Sequence, residues 1–224
     1  MSVVDYKGKL VFKIDNKDFR AGGFLIHRNY NNERQIMMIK SNRGYEFPGG
    51  KVDEKDFTLF DTAIRELVEE TNGCINSKLN EKFTKSEVFD NFKFQNNPEL
   101  KEELSKYLDE SRHLINEMFQ CCDYFVDWIP DYKFKYGLFF TQLPESWLHS
   151  EEIYGEVELW ENVCRKVVWV SCEQLLNIIS DNSIQKFSML TQNTFLKNKL
   201  IKWLESNGQN NKVLHKFMIR EYSD

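Results

Sequence analysis

Three glutamates and an arginine stand close together in the segment Arg65-Glu66-Leu67-Val68-Glu69-Glu70. On a helix, residues i, i+3 and i+4 share a face, so Glu66, Glu69 and Glu70 would form one acidic stripe. Carboxylates so placed repel, by about 0.2–0.5 kcal/mol per pair on an exposed helix and by more where water is excluded. Arg65 offsets only part of that charge. A hard divalent cation such as Mg²⁺ or Mn²⁺ offsets it better, because it takes oxygen ligands from carboxylates, carbonyls and water. An acidic stripe alone is usually a solvated helix face. The surrounding residues decide between the two readings.

The elements that must position this stripe are legible on either side of it. From about Thr58 to Thr71 the chain reads as a helix: Ala63, Leu67 and Val68 favour it, and no proline interrupts it. Phe60, Ala63, Ile64 and Leu67 follow the i, i+3, i+4, i+7 rule and give an apolar stripe about a third of a turn from the acidic one. The first stripe can be buried while the second lines a cleft. Before the helix, Tyr45-Glu46-Phe47-Pro48-Gly49-Gly50-Lys51-Val52 reads as a strand breaking into a glycine turn. Such a turn can bring a backbone carbonyl close to the helix.

Taken together, this stretch resembles the signature of the Nudix hydrolases, Gx5Ex7REUxEExGU with U a bulky aliphatic residue. Gly50 and Arg65-Glu66-Leu67-Val68-Glu69-Glu70 match it, and Glu46 to Val52 has the family's look. There are two departures. The family's first glutamate falls on Phe57; Glu54, Asp56 and Asp61 are the nearest acids, and Asp56 is the natural substitute if one loop residue is inserted. The closing glycine position holds Asn72, with Gly73 one step late. Asn and Gly are the residues that tolerate a left-handed helix exit, so the two endings are physically equivalent.

The resemblance implies an α/β fold, a Nudix-like α/β/α sandwich with a mixed sheet. It also implies hydrolysis of a pyrophosphate bond in a nucleoside diphosphate linked to another moiety, with Mg²⁺ or Mn²⁺ as cofactor. The expected metal ligands are Glu66, Glu69, Glu70 and the Gly49 carbonyl, with Asp56 as a weaker outer ligand. Arg65 would orient Glu66. In this family a base often comes from a loop outside the signature. Glu156, Glu158 and Glu161, just before the strand Lys166 to Ser171, are the candidates, with Glu66 or Glu69 next in line. Candidate substrate contacts are Arg20, Glu46, Lys51 and Lys135; Lys133 and Tyr136 could join them, although an amphipathic strand with solvated lysines is the simpler explanation of that segment. Other readings are a degenerate domain that binds a nucleotide or a protein without hydrolysis, and an RNA-decapping enzyme. The second would need a basic track, and only scattered lysines at 197, 199, 202, 212 and 216 are present.

The rest of the chain fits one domain, 1–224, with a core at about 19–179, a helical insertion at about 92–120 and a C-terminal helix at about 188–207. A hydrophobic fraction of 41% allows a sizeable core, and a net charge of −5 argues against a dedicated nucleic-acid binder. The chain shows no secretory signal pattern and no 18-residue apolar run, so no membrane span is expected. Cys74, Cys121, Cys122, Cys164 and Cys172 form no CxxC pair, which fits a reducing cytoplasmic or nuclear setting. Strands are expected at Lys9 to Ile14, Phe19 to His27, Gln35 to Lys40, Asp123 to Ile129, Lys133 to Leu143 and Lys166 to Ser171, the last followed by a helix at Cys172 to Ile179. Gly22-Gly23 signals either a bulge or a close approach to that strand. The helix Pro98 to Gln120 is amphipathic and could be packing, a lid or a homodimer surface. Pro144 to Trp160 reads as an acidic loop region.

Overall fold

The computed structural model describes residues 3–4, 8–14, 17–42, 44–75, 96–119, 135–143, 154–161, 163–180 and 194–206. The expected strand at Asp123 to Ile129, the Cys121-Cys122 pair, residues 188–193 and the Lys135 side chain lie outside them.

The strands are β1 (Val3–Val4), β2 (Leu10–Ile14), β3 (Lys17–Tyr30), β4 (Glu33–Ser41), β5 (Gly44–Glu46), β6 (Gly49–Lys51), β7 (Lys135–Gln142), β8 (Val157–Glu158), β9 (Val163–Cys164) and β10 (Lys166–Ser171). The helices are α1 (Leu59–Glu70), α2 (Pro98–Phe119), α3 (Cys172–Ser180) and α4 (Thr194–Glu205). The spine is the 14-residue strand β3. It pairs antiparallel with β2 at Phe19, with β6 at Ala21 to Gly23 and with β4 at His27 to Tyr30. Along its other edge β7 runs parallel, from Phe19 to His27. A parallel neighbour needs a long crossover, and the intervening chain with α1 and α2 supplies it. β10 closes the sheet antiparallel on β4. The sheet is therefore mixed.

Alternation along the strands sends side chains to two cores. Phe24, Ile26, Met37, Ile39, Phe139 and Trp169 pack with Ala63, Ile64, Leu67 and Val68 of α1 and Leu104, Leu108 and Ile115 of α2. Leu25, Ile36, Met38, Leu138, Phe140 and Val170 pack with Leu175 and Ile179 of α3 and Leu200, Trp203 and Leu204 of α4. The architecture is the expected α/β/α sandwich. No described helix is long and apolar enough to cross a membrane.

The glycine pair of β3 is a point of close approach. A Cβ on Gly22 would lie 2.8 Å from the Leu59 carbonyl, and one on Gly23 would lie 2.4 Å from the Pro48 carbonyl. The same Pro48 oxygen accepts the Phe24 N–H at 2.8 Å. A register shift between Phe19 and Ala21 against β7 adds a bulge beside it. Of the expected acidic loop Pro144 to Trp160, residues 144–153 lie outside the described residues; its end carries β8, which pairs with β9 just beyond it because Val157 and Val163 give short strand segments.

Candidate active site

α1 starts at a capping box. The Thr58 hydroxyl accepts the Asp61 N–H at 3.0 Å, and the Asp61 carboxylate accepts the Thr58 N–H at 2.8 Å. The helix ends with two left-handed residues, Asn72 at φ 52° and Gly73 at φ 69°. Between these ends the apolar stripe lies against the sheet, and the acidic stripe is also drawn in: Glu69 is 4% exposed and Glu70 9%.

Arg65 organises the first half of this acidic cluster. Its Nε and Nη2 hold the two Asp56 oxygens at 2.9 and 3.1 Å. Its Nη1 reaches Glu66 Oε1 at 2.8 Å and Glu69 Oε2 at 3.0 Å, and Nη2 also donates to the Lys51 carbonyl at 2.5 Å. Burial works against its charge, but Asp56, Glu66 and Glu69 hold it firmly protonated. Asp56 further accepts the Thr62 hydroxyl at 2.9 Å and the Asp53 N–H at 2.8 Å. With Asp56 so engaged, its carboxylate fixes the guanidinium.

Two arginines far away in sequence complete the cluster. Arg112 of α2 donates to Glu69 Oε1 at 2.6 Å, across 43 residues. Arg165, between β9 and β10, donates to Glu70 Oε1 at 2.7 Å, across 95 residues, and its Nη2 contacts Glu158. The other Glu70 oxygen accepts the Gly49 N–H at 2.8 Å. The Glu66 carboxyl lies on Gly50, where a Cβ would come within 2.3 Å of it; only glycine lets that carboxylate approach the turn.

Burial raises the protonation range of all four glutamates. Glu66 is pushed up to about 7, chiefly by burial, with Arg65 opposing and Glu69 adding to the shift. Burial likewise takes Glu158 to about 7 against the pull of Arg165. Glu69 is raised by burial against Arg65 and Arg112, and Glu70 is raised well above the usual range by burial against Arg165. Four desolvated oxygen donors beside a glycine turn have the chemistry a hard divalent cation takes. Among the described residues, no three His, Cys, Asp or Glu side chains are clustered as ligands of one ion. Their oxygens meet guanidinium groups instead.

The loop acids part company. Glu158 is 2% exposed and faces the cluster through Arg165, which it shares with Glu70. Glu161 is exposed, but its charge adds to the upward shift of Glu66, Glu69 and Glu158. Glu156 is exposed and lies 3.7 Å from Lys166, away from the cluster. Asn72 anchors this loop: its Nδ2 donates to the Tyr154 and Val157 carbonyls at 3.0 and 2.8 Å, and its Oδ1 accepts the Leu159 N–H at 2.9 Å.

Of the candidate substrate contacts, Arg20 is half-buried in β3, Glu46 is half-buried in β5 opposite Ile39, and Lys51 is exposed at the end of β6. Tyr136 does not offer its hydroxyl to solvent. That oxygen is buried, so close to Gly23 and Gly49 that a Cβ on either would meet it, and it has no hydrogen-bond partner among the described residues. Arg112, Arg165 and the loop-anchoring amide of Asn72 escaped sequence reasoning. For Arg112 a signal existed: it adjoins Ser111 on the stripe Leu104, Leu108, Ser111, Ile115, where a guanidinium at the edge of a buried face invites a buried acid. Nothing comparable marks Arg165.

The family model of the NUDIX domain matches residues 20–189. The search of curated proteins found no match. Among solved structures, the chain is similar to a C. elegans Ap4A hydrolase in a binary complex, at 14% identity, 84% of this chain, 98% of that one and a TM-score of 0.36. It is similar to a NUDIX hydrolase from Alicyclobacillus acidocaldarius, at 17% identity, 83% and 92% coverage and a TM-score of 0.42. It is also similar to the NUDIX domain of Shewanella oneidensis NrtR complexed with ADP ribose, at 12% identity, 77% and 81% coverage and a TM-score of 0.38.

Proposed function

The chain belongs to the Nudix family, and from that premise we propose that it hydrolyses a pyrophosphate bond in a nucleoside diphosphate joined to another group. The observation that carries this reading is the cluster of half-buried Glu66 and buried Glu69, Glu70 and Glu158, each bonded to an arginine, with Glu66 lying on Gly50 and Glu70 on the Gly49 N–H. Glu66, Glu69 and Glu70, with the Gly49 carbonyl, would hold Mg²⁺ or Mn²⁺. Such a cation, when bound, neutralises phosphate oxygens and makes water a better nucleophile.

The protein's own groups do the rest. Water oxygen attacks one phosphorus, the bridging P–O bond breaks, and the departing phosphate takes the bond's electron pair. Glu158 takes the proton of the attacking water. Its range near 7 suits a base at neutral pH, and Arg165 orients it. Glu66, also held near 7, is the next candidate. Arg65 keeps Glu66 and Glu69 in register, and Asp56 keeps Arg65 in place.

One observation favours a second reading, binding without hydrolysis: both Glu69 oxygens are already bonded to arginines. A screen of nucleoside diphosphate derivatives with Mg²⁺ and Mn²⁺ separates the two. Release of a mononucleotide or phosphate by the wild type, lost in Glu70→Gln, supports hydrolysis. Binding with no release from any substrate supports the second reading, and full metal-dependent turnover by Glu70→Gln removes the assignment of Glu70.

A further inference from the structure

The three arginines of the cluster are not held alike. Arg65 and Arg165 have side chains 10% and 9% exposed, and each is bonded to two or more buried carboxylates. Arg112 is 26% exposed. One end of its guanidinium reaches Glu69 Oε1 at 2.6 Å, and the other lies 3.2 Å from Asp109, itself 64% exposed. Its Nε is buried with no hydrogen-bond partner among the described residues. The helix that carries it is fixed where α1 ends: the Tyr107 and Ser111 hydroxyls donate to the Gly73 carbonyl at 3.1 and 3.2 Å. Its backbone therefore stays beside the cluster whatever the side chain does.

We propose that Arg112 is a displaceable counter-cation: it competes with a divalent metal for Glu69 Oε1 and, once displaced, binds the phosphates of the substrate. This rests on the hydrolase reading above. A divalent cation on Glu69 would be a third cationic partner, beside Arg65 and Arg112, for one carboxylate in a site largely shut off from water, where like charges repel strongly. The more loosely held of the two Glu69 arginines yields. Its remaining partner, Asp109, is exposed and holds it weakly. The freed guanidinium stays at the rim of the cleft, and its planar donors match phosphate oxygens two at a time. The helix Pro98–Phe119 thereby links metal loading to substrate capture, which packing alone would not do.

The test uses the full chain and binding rather than turnover. Mn²⁺ is titrated without substrate, with free Mn²⁺ read by electron paramagnetic resonance, into wild type, Arg112→Gln and Glu70→Gln. Adenosine diphosphate is then titrated at saturating Mn²⁺ into wild type and Arg112→Gln. Arg112→Gln should bind Mn²⁺ about tenfold more tightly and adenosine diphosphate about tenfold more weakly than wild type. Unchanged or weaker Mn²⁺ binding by Arg112→Gln overturns the proposal, as does unchanged adenosine diphosphate binding. A wild type that binds no Mn²⁺ overturns the metal-dependent reading and this proposal with it; a wild type that binds Mn²⁺, weakened in Glu70→Gln, leaves that reading standing whatever Arg112→Gln does. If Arg112→Gln does not fold, Arg112→Lys serves. It keeps the charge but not the planar fork, so Mn²⁺ affinity should stay within about twofold of wild type and adenosine diphosphate affinity should fall. An unchanged adenosine diphosphate affinity in Arg112→Lys overturns the proposal.

Discussion

On one face of the sheet, Leu25, Ile36, Met38 and Phe140 meet Leu200, Trp203 and Leu204, and the His27 ring sits 4.8 Å from Phe140 and 5.8 Å from Trp203. On the other, Phe24, Met37 and Phe139 meet α1, and at the edge of that helix five carboxylates, Asp56, Glu66, Glu69, Glu70 and Glu158, are paired with three arginines. The two faces bury side chains in different ways. Apolar surface contributes roughly 25 cal/mol per Å² when it leaves water and needs no particular partner. A buried charge costs several kcal/mol unless it is paired, and removing one partner leaves the other stranded. The face of α3 and α4 thus stabilises the fold. The face of α1 holds charge that is kept out of water by pairing with arginines.

The largest effects should separate the two faces outright. Trp203→Ala should lower stability by about 3–5 kcal/mol in urea denaturation, while kcat/KM of the folded protein changes by less than about twofold, since distant sites act independently. Glu66→Gln should do the reverse: turnover falls about 10²–10⁴-fold, and the melting temperature holds or rises because one of several mutually repelling charges is gone. A joint loss of stability and activity in both variants would break the comparison.

His27 gives a smaller and pH-dependent contrast. Burial, with Arg34 adding to it, lowers its protonation to about 3 from the ordinary 6.5. Between those values the unfolded chain takes up a proton that the native state refuses. Stability is therefore intact above pH 6.5 and falls as the pH drops. From pH 6.5 to 5 the loss from this residue is about 2 kcal/mol. Urea melts of wild type and His27→Gln at the two pH values check it; equal slopes for both proteins would show that His27 is not the source.

The smallest test lies within one loop. Glu158→Gln should lower turnover by about tenfold or more, about 1.4 kcal/mol of barrier. Glu156→Gln, two residues away and facing Lys166, should stay within about twofold. If neither moves turnover, Glu66 is the better base.

The sequence by itself determined the local elements. The i, i+3, i+4, i+7 pattern marked α1, found at Leu59–Glu70, and the strand Lys166–Ser171 has the ends its composition indicates. Gly49-Gly50 before an acidic helix carried the resemblance to the family whose model matches residues 20–189. These features are short-range, so spacing alone exposes them. Asn72 was legible as a helix-ending residue, and its φ of 52° agrees; that its amide also fastens Tyr154, Val157 and Leu159 was not legible. Tertiary structure alone decided which cations answer the buried glutamates. Arg112 and Arg165 reach Glu69 and Glu70 across 43 and 95 residues. It also decided that Glu158 turns inward while Glu156 turns out. A charge that is solvated in the extended chain acquires a partner only when folding removes its water, and that partner is set by which helix and strand ends the sheet brings together.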